Sequence, residues 1–205
     1  SERSRGLGDV YKRQVLAYCL NISQVIIWKD VPALMNADPK YFKNTIEIEK
    51  ISYDEVIELA YFGAKIIHPK TVQPLKKKNI TLYIRSFLDI KSLGTLITKE
   101  SQNNLDVPFY IVKENQILIS ICEKSLEFIV ENHISKIFSL LALYSVEVNM
   151  MQNSAVSFSI CVDFDKYKIP KLIKSLQKSF DVFYNKNLIL YTCLLYTSPS
   201  PRDLS

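Results

Sequence analysis

The stretch "AYFGAKIIHPKTVQPL" (residues 60–75) contains the end of one helix and the start of another. Its apolar helical run ends at Gly63, a residue type that commonly terminates helices. Pro69 then suits the first turn of a second, short helix with a basic end. Between the two helices, Lys65 precedes an apolar pair. This lysine is either a solvated surface charge or a contact to a phosphate group.

The segment before it predicts a helix with a defined start. Ser52 is the expected N-cap and Glu55 follows three positions later, which is the pattern of a capping box. Four apolar side chains form the predicted buried stripe: Val56, Leu59, Ala60 and Phe62.

Two short apolar runs flank these helices. "SQVIIW" (residues 23–28) is rich in β-branched residues and predicts a buried strand, and "ITLYIRS" (residues 80–86) predicts another. Residues 29–40 contain Pro, Asn and Asp and predict a loop. Strand, helix and strand in alternation favour an α/β sheet.

The second half of the chain has a different pattern. Residues 99–113 open with a polar stretch that lacks periodicity, which predicts a linker. Beyond it the predicted order is β-α-β-β-α-β, the ferredoxin-like arrangement. The predicted elements are strands at 116–122, 146–152, 156–163 and 188–192 and helices at 132–145 and 169–180. Asn132 is the expected N-cap of the first helix. The alternation of a strand allows only one of Met150 and Met151 to be a core residue.

The composition excludes several classes of protein. Of 205 residues, 48% are hydrophobic, so a globular core can form, and no apolar run approaches the roughly 20 residues of a membrane helix. The four cysteines are scattered, which implies no metal site and no disulfide framework and favours a reducing cytoplasm. Only 4 residues are glycine, which argues against a glycine-rich phosphate loop in this chain.

Both ends of the chain differ from the rest. Residues 1–14 and 193–205 lack periodicity, are rich in Arg, Ser or Pro, and resemble translated sequencing-adapter sequence. We expect them to be non-native tails, with genuine disordered termini as the alternative. Without them the formal net charge falls from +5 to +3, which gives no reason to expect a nucleic-acid partner.

Three charged residues have positions that suit a nucleotide. The first strand places Lys29 and Asp30 at its carboxyl end, where ligands of open α/β sheets bind, and Lys65 could reach the same place. Cations neutralise phosphate oxygens and a carboxylate accepts a hydroxyl. The alternative is a solvated Lys–Asp pair. His68, which precedes a proline, is more typical of a structural hydrogen bond than of a catalyst.

Three blocks of sequence resemble one enzyme family. "IWKDVPALMNADPK", "ISYDEVIELAYFGAKIIHPKTVQPL" and "IRSFLDIKSLGTLI" are similar, in order and spacing, to the C-terminal part of the aspartokinase catalytic domain, here residues 15–98. Residues 114–192, with "VNMMQNSAVSFSICVD", resemble the first ACT domain of the same family. The resemblance therefore implies an amino-acid-kinase-type α/β domain followed by a ferredoxin-like regulatory domain.

The resemblance also implies site residues and a reaction. The intact enzyme would use ATP, with Mg²⁺, to phosphorylate the side-chain carboxylate of L-aspartate, the first step of lysine, threonine and methionine biosynthesis. The implied nucleotide contacts are Lys29, Asp30, Met35, Lys40, Lys65 and Ile66. The family's "KFGG" and "GRGGSD" segments, which bind aspartate and hold the reacting phosphates, do not occur in this sequence. We therefore expect this chain alone to lack kinase activity.

For the second domain, the resemblance implies an amino-acid effector, lysine or threonine, and a homodimer formed through ACT domains. Backbone amides at a helix N-terminus suit the effector's carboxylate. The implied effector contacts are Asn132, His133, Val148, Asn149, Gln152, Asn153 and Ser154. Many lysine-sensitive members have Asp where Asn149 stands, and Asn keeps the acceptor but loses the charge, which disfavours lysine as the effector. The alternative for residues 150–154 is a core strand that enters a hairpin turn.

Two other functions remain as alternatives. One is a standalone amino-acid-sensing ACT module without catalysis. The other is an RNA-binding ferredoxin-like domain, which would need aromatic residues on adjacent central strands within a basic motif. The segment "VSFSICVD" (residues 156–163) has one aromatic residue and no basic residue, which disfavours RNA.

Overall fold

The computed structural model describes residues 17, 19–20, 22–64, 66–67, 69–99, 107–125 and 128–195. These residues form two compact units, one within residues 1–112 and 191–205 and the other within residues 113–190. Two long strands, β7 (Phe109–Glu123) and β10 (Phe180–Leu194), have residues in both. Within the described residues, none of the helices is both long and apolar enough to cross a membrane.

The first unit is a mixed α/β fold. Its elements are β1 (Gln24–Lys29), β2 (Leu34–Met35), β3 (Glu47–Ile48), β4 (Lys50–Ser52), α1 (Tyr53–Tyr61), α2 (Pro69–Lys77), β5 (Thr81–Ser86) and β6 (Thr95–Thr98). The main sheet has the order β1-β5-β6-β4, in which β1 is parallel to β5 and β6 is antiparallel to β5. The two short strands β2 and β3 form a separate antiparallel pair. Sequence reasoning missed β2, β3, β4 and β6, because strands of two to four residues are too short to show a period.

Helix α1 confirms the predicted capping box. The Ser52 side chain accepts a hydrogen bond from the backbone N–H of Glu55, and the Glu55 carboxylate accepts one from the backbone N–H of Ser52. The helix buries Tyr53, Val56 and Leu59, whereas Ala60 and Phe62 of the predicted stripe are half-buried.

Two glycines take backbone conformations that other residues rarely adopt. Gly63 has φ +107° and follows α1 as predicted. Gly94 has φ +68° and precedes β6, where a Cβ atom would lie 2.0 Å from the carbonyl oxygen of Ile84. The turn between β5 and β6 therefore requires glycine at position 94.

Strand β1 is present as predicted, but the prediction that it is buried is wrong. Ile26 is 40% exposed and Trp28 is 45% exposed, while Val25 and Ile27 on the other face pack against the core. The reason is the order of the sheet, because β1 is its outer strand and only one of its faces meets the core.

The second unit has the ferredoxin-like arrangement. Its further elements are α3 (Glu131–Leu143), β8 (Val148–Asn153), β9 (Ser157–Asp163) and α4 (Lys168–Leu176). The sheet order is β10-β7-β9-β8, and β9 is antiparallel to both β7 and β8. The buried core combines alternate residues of two strands with residues of both helices: Ile117, Ile119, Ile121, Phe158, Ile160, Val162, Ile137, Leu141, Leu172 and Leu176.

The start of α3 differs from the prediction. The N-cap is Val130, and the carbonyl of Val130 accepts hydrogen bonds from the backbone N–H groups of His133 and Ile134. Asn132 therefore lies inside the first turn, and its prediction as the N-cap is wrong. The valine side chain has no hydrogen-bond acceptor, so the N-cap residue of α3 makes no side-chain capping bond.

Strand β8 is more exposed than a core strand. Met150 is 42% exposed and Met151 is 61% exposed, so neither is a core residue. Strand β8 is an outer strand, and its register with β9 shifts between Val148 and Met150, which is a β-bulge at Asn149.

Both long strands extend beyond the predicted boundaries. Residues 109–113, predicted as linker, form the start of β7, because Phe109 and Ile111 are buried in the core of the first unit. Cys193 and Leu194, predicted as part of a tail, end β10, and Leu194 packs against the same core. The predicted tail at 1–14 and residues 100–106 of the predicted linker lie outside the described residues.

Candidate functional site

The parallel pair β1 and β5 brings two strand ends together in the first unit. Lys29 is paired with Ser86 at the carboxyl end of the two strands, and the backbone N–H of Phe87 donates to the Lys29 carbonyl at 2.9 Å. This is the end of an open α/β sheet at which ligands bind. Lys29 and the exposed Asp30 thus occupy the place that the sequence predicts for them.

The Lys29 ammonium joins two separate sequence blocks. Its Nζ donates a hydrogen bond to the backbone carbonyl of Ile66 at 2.5 Å, across 37 positions of sequence. The segment between α1 and α2 therefore lies at the end of β1. Two of the six implied nucleotide contacts are in direct contact with each other. Lys65 and His68 lie outside the described residues.

The surroundings of Lys29 weaken its hold on its proton. Burial lowers the pKa of the Lys29 ammonium, and the negative charge of Asp30 opposes part of this shift. A half-buried ammonium that lacks full compensation gains most from a nearby anion. The site is thus electrostatically suited to a phosphate.

Met35 and Lys40 belong to the segment that follows β1. Met35 is half-buried in β2, opposite Glu47. Lys40 is exposed, and its Nζ lies 3.1 Å from the hydroxyl of Tyr41 and 4.8 Å from the centre of that ring. Lys40 thus lies on an exposed segment, whereas Met35 belongs to a strand whose neighbouring residue, Leu34, is part of the core.

Two buried hydroxyl residues position this site and were missed by sequence reasoning. Thr95 Oγ1 accepts from the backbone N–H of Leu34 at 2.7 Å and donates to the carbonyl of Ile48 at 2.7 Å, which fixes the pair of strands that carries Met35. Ser86 Oγ accepts from the backbone N–H of Leu88 at 3.1 Å and shapes the turn after β5. A serine at a strand end followed by Asp89 is a recognisable turn signal, whereas Thr95 has no local signal.

The implied effector contacts fall into two groups at opposite ends of β8. The first group lies at the start of α3, at the end of β8 and in the turn that follows it. A 3.0 Å hydrogen bond from Ile129 N–H to the Ala155 carbonyl joins the start of α3 to this turn. The members of the first group are Asn132, His133, Gln152, Asn153 and Ser154. Val148 and Asn149 lie at the other end, about 13 Å along the strand from Asn153.

The side chains of the first group differ in exposure and in hydrogen bonding. Asn132, Gln152 and Asn153 are exposed. His133 is half-buried, its Nδ1 accepts from the backbone N–H of Val130 at 3.4 Å, and its Nε2 lies 3.6 Å from the Glu123 carboxylate.

Ser154 belongs to the turn itself. Its hydroxyl accepts from the backbone N–H of Ser157 at 3.1 Å and lies 2.8 Å from the Ser157 hydroxyl. The exposed amide and hydroxyl groups beside the start of a helix can contact both polar ends of an amino acid.

Asn149 belongs to a polar network at the other end. Its Oδ1 accepts from Lys113 Nζ at 2.6 Å, and its Nδ2 donates to Gln116 Oε1 at 2.7 Å and to Asp163 Oδ1 at 2.9 Å. Gln116, which is buried, also donates to Asp163 Oδ1 at 2.6 Å. The bulge in β8 directs Asn149 into this network.

The network also fixes the charge of its carboxylate. Burial alone would raise the pKa of Asp163, but hydrogen bonds from Gln116 and Asn149 and the charge of Lys113 hold it below its usual value. Asp163 is therefore a carboxylate at neutral pH. Among the described residues, no group of three or more His, Cys, Asp or Glu side chains is placed to hold a metal ion.

The chain is similar to known sequences over most of its length. Residues 14–86 match the model of the amino acid kinase family. The chain is 30% identical to lysine-sensitive aspartokinase 3 of Escherichia coli over 157 residues, which cover 76% of this chain and 34% of that protein. It is 28% identical to the bifunctional aspartokinase/homoserine dehydrogenase of Buchnera aphidicola, over 89% of this chain and 22% of that protein.

Solved structures give the same relatives. E. coli aspartokinase III in complex with lysine and aspartate has a TM-score of 0.75 and 27% identity, over 89% of this chain and 42% of that one. The aspartate kinase of Clostridium acetobutylicum has a TM-score of 0.77 and 28% identity, over 89% of this chain and 44% of that one. E. coli aspartokinase III has also been solved with aspartate and ADP. The chain spans about a fifth to a third of the length of the curated relatives it matches.

Proposed function

The chain belongs to the aspartokinase family, and we propose that it forms part of an enzyme that phosphorylates the side-chain carboxylate of L-aspartate with ATP. The product is 4-phospho-L-aspartate, the first intermediate towards lysine, threonine and methionine. Residues 15–98 would be the nucleotide side of the kinase domain and residues 114–192 the first ACT domain. The hydrogen bond from Lys29 to Ile66 supports this proposal most directly, because it joins two blocks of the nucleotide site.

Phosphoryl transfer depends mainly on positioning and on neutralising charge. In the proposed site Lys29, Lys40 and Lys65 neutralise phosphate oxygens of ATP, which carries its own Mg²⁺. Asp30 accepts a hydroxyl of the nucleotide. Met35 covers a face of the adenine, and the backbone at Ile66 contacts the nucleotide from the other side.

Lys29 would respond to the nucleotide. A phosphate next to Lys29 favours the protonated amine and so reverses the effect of burial on its pKa. Binding would thus be strongest where Lys29 is fully protonated and would weaken towards alkaline pH.

The groups that bind aspartate and hold the reacting phosphates are proposed to lie on segments whose motifs this sequence does not contain. The 205-residue chain is therefore expected to bind nucleotide without turning it over. E. coli aspartokinase III, solved with aspartate and ADP, supports ATP as the substrate.

The second unit is proposed to sense an amino acid. E. coli aspartokinase III, solved with lysine, supports an amino-acid effector. Amides at the start of α3 would bind the effector's carboxylate, and oxygens of the turn at Asn153 and Ser154 would bind its ammonium. We propose lysine or threonine as the effector, a homodimer through the outer strands of this sheet, and a cytoplasmic location that keeps the cysteines reduced.

Nucleotide binding by the purified chain tests the first part. Titration calorimetry with Mg-ATP compares the wild-type chain with Lys29→Met and with Lys171→Met, an exposed lysine of α4. We expect Lys29→Met to weaken binding about tenfold, the value of one charge-assisted hydrogen bond, and Lys171→Met to have no effect.

Two results would contradict the nucleotide proposal. One is an equal affinity of the wild type and Lys29→Met. The other is no ATP binding by the wild-type chain at millimolar concentration. Formation of phospho-aspartate, trapped with hydroxylamine, would contradict the expected lack of turnover by this chain.

A further inference from the structure

Asn36 is a buried residue at the junction of separate segments of the first unit, and only 6% of it is exposed. Its backbone N–H donates to the Ile46 carbonyl at 3.0 Å, and its backbone carbonyl accepts from the Tyr110 N–H at 2.8 Å. Its side chain adds a bond on each side. Oδ1 accepts from the Ile46 N–H at 2.8 Å, and Nδ2 donates to the Pro108 carbonyl at 3.1 Å. Asn36 thus joins the end of β2 to the residue before β3 and to the start of β7.

The residues between Asn36 and β3 form a loop that contains Lys40. Within this loop, the Asp38 carboxylate accepts from the backbone N–H of Lys40 at 2.9 Å, and the Asp38 carbonyl accepts from the backbone N–H of Phe42 at 3.1 Å. The Phe42 ring is stacked on the Tyr110 ring, with the ring centroids 5.3 Å apart. The loop therefore has a turn of its own, a base that Asn36 closes, and a second contact with β7.

The side-chain bonds of Asn36 suit an uncharged amide. Ile46 presents an N–H group and Pro108 presents a carbonyl, so the side chain must accept at one atom and donate at the other. An ionised aspartate could accept but not donate, and its second oxygen would face the Pro108 carbonyl. An alanine would make neither bond. Asn36→Asp therefore separates the closure of the loop from its attachment to β7, whereas Asn36→Ala removes both.

We propose that Asn36 is a positioning residue of the nucleotide site, which holds the loop with Lys40 against the start of β7. This inference rests on the proposed nucleotide binding. Met35 precedes Asn36 directly, and on its other side the backbone N–H of Leu34 donates to Thr95 Oγ1. Asn36 thus fixes the second side of Met35 and the base of the loop. Its amide bonds only to the protein, so it acts on the nucleotide through Met35 and Lys40.

Limited proteolysis tests the attachment of the loop without any nucleotide. Trypsin can cleave after Lys43, an exposed residue of this loop. Because local opening exposes the backbone to cleavage, we expect Asn36→Ala to be cut after Lys43 at least about tenfold faster than the wild type. Tyr53→Phe is the matched control, since it removes a buried hydrogen bond to a backbone carbonyl elsewhere in the same unit. Its cleavage after Lys43 should match that of the wild type.

Calorimetry with Mg-ATP on the full chain tests the effect on the site. We expect Asn36→Ala and Asn36→Asp each to weaken binding about tenfold, and Tyr53→Phe to bind as the wild type does. In a Lys40→Met background, Asn36→Ala should cost about threefold at most, because the loop then carries no cation to position. In a Lys29→Met background it should still cost about tenfold, because Lys29 is held by the Ile66 carbonyl and not by this loop.

The outcomes separate this inference from the proposed function. If the wild type binds Mg-ATP and both variants of Asn36 bind it equally well, the inference is wrong and nucleotide binding stands. Losses that add fully in the Lys40→Met background would also overturn it, since Asn36 would then not act through Lys40. Equal cleavage after Lys43 in the wild type and Asn36→Ala would show that the amide does not hold the loop. If the wild type does not bind Mg-ATP, the proposed function fails and the role assigned to Asn36 fails with it.

Discussion

Strands β1 and β9 have similar apolar sequences and very different environments. In β1, Ile26 is 40% exposed and no residue is fully buried. In β9, Phe158, Ile160 and Val162 are all buried. Strand β9 lies between β7 and β8 and its apolar face is covered by both helices, whereas β1 is an outer strand. The position of a strand in its sheet, more than its composition, determines how much it buries.

The largest expected difference between the two strands is in the free energy of unfolding lost when an isoleucine is replaced by alanine. Ile160→Ala should lower the free energy of unfolding by about 2–5 kcal/mol, because it leaves a cavity in a closed core. Ile26→Ala should cost less than about 1 kcal/mol, since a large part of that side chain is already in contact with solvent. Urea denaturation followed by circular dichroism measures both.

Equal losses in the two variants would contradict the comparison. A large loss for Ile26→Ala would mean that the outer face of β1 is covered in solution. Because a second copy of the chain could cover it, the measurement is repeated at two protein concentrations.

The first turns of helices α1 and α3 give a second comparison between the two units, with a smaller expected effect on stability. The sequence predicts N-caps at both Ser52 and Asn132, but only Ser52 forms the cap. Ser52→Ala should therefore cost about 1 kcal/mol of stability, and Asn132→Ala should change it by less than about 0.5 kcal/mol. Thermal unfolding of the two variants under the same conditions decides the point, and a reversed order would contradict it.

The smallest expected effect is on the pH dependence of stability, through Asp163 at the end of β9. The folded protein holds the pKa of Asp163 below its usual value, so the carboxylate contributes stability above the pKa of the unfolded chain, about 4. This stability is lost as the pH falls through the folded pKa. Asp163→Asn should therefore flatten the acid side of the stability–pH profile below about pH 4.

Part of the acid slope should persist in that variant. The backbone N–H groups of Lys168 and Tyr167 lower the pKa of Asp165, which remains in place. If the wild type and Asp163→Asn give parallel profiles from pH 5 to pH 2, the hydrogen bonds of the network do not stabilise the ionised carboxylate.

Local signals allowed much of the fold to be predicted. The Ser52–Glu55 box and the stop at Gly63 involve neighbouring residues, and the structure confirms them. The order of elements in the second unit was also predictable, because each element has its own hydrophobic period. The exposure of β1 was not predictable, since it depends on which strand lies beside β5.

Long-range contacts were the part of the site that the sequence did not reveal. Lys113, Asn149 and Asp163 are far apart in sequence and meet through a bulge that has no local signature. Resemblance to a family indicated the position of Asn149 but not its partners. Thr95, which fixes the strand pair carrying Met35, was missed for the same reason.

The buried phenol of Tyr53 can serve as an internal probe of the unfolding of the first unit. Its hydroxyl donates to the Ile80 carbonyl, and burial raises its pKa well above that of an exposed tyrosine. As the pH rises past about 10, unfolded chains can ionise this group and folded chains cannot, so stability falls. In an alkaline ultraviolet titration, exposed phenols should ionise first and Tyr53 only when this unit opens. The pH of the last step in phenolate absorbance would then give the pH at which the first unit unfolds, without any added label.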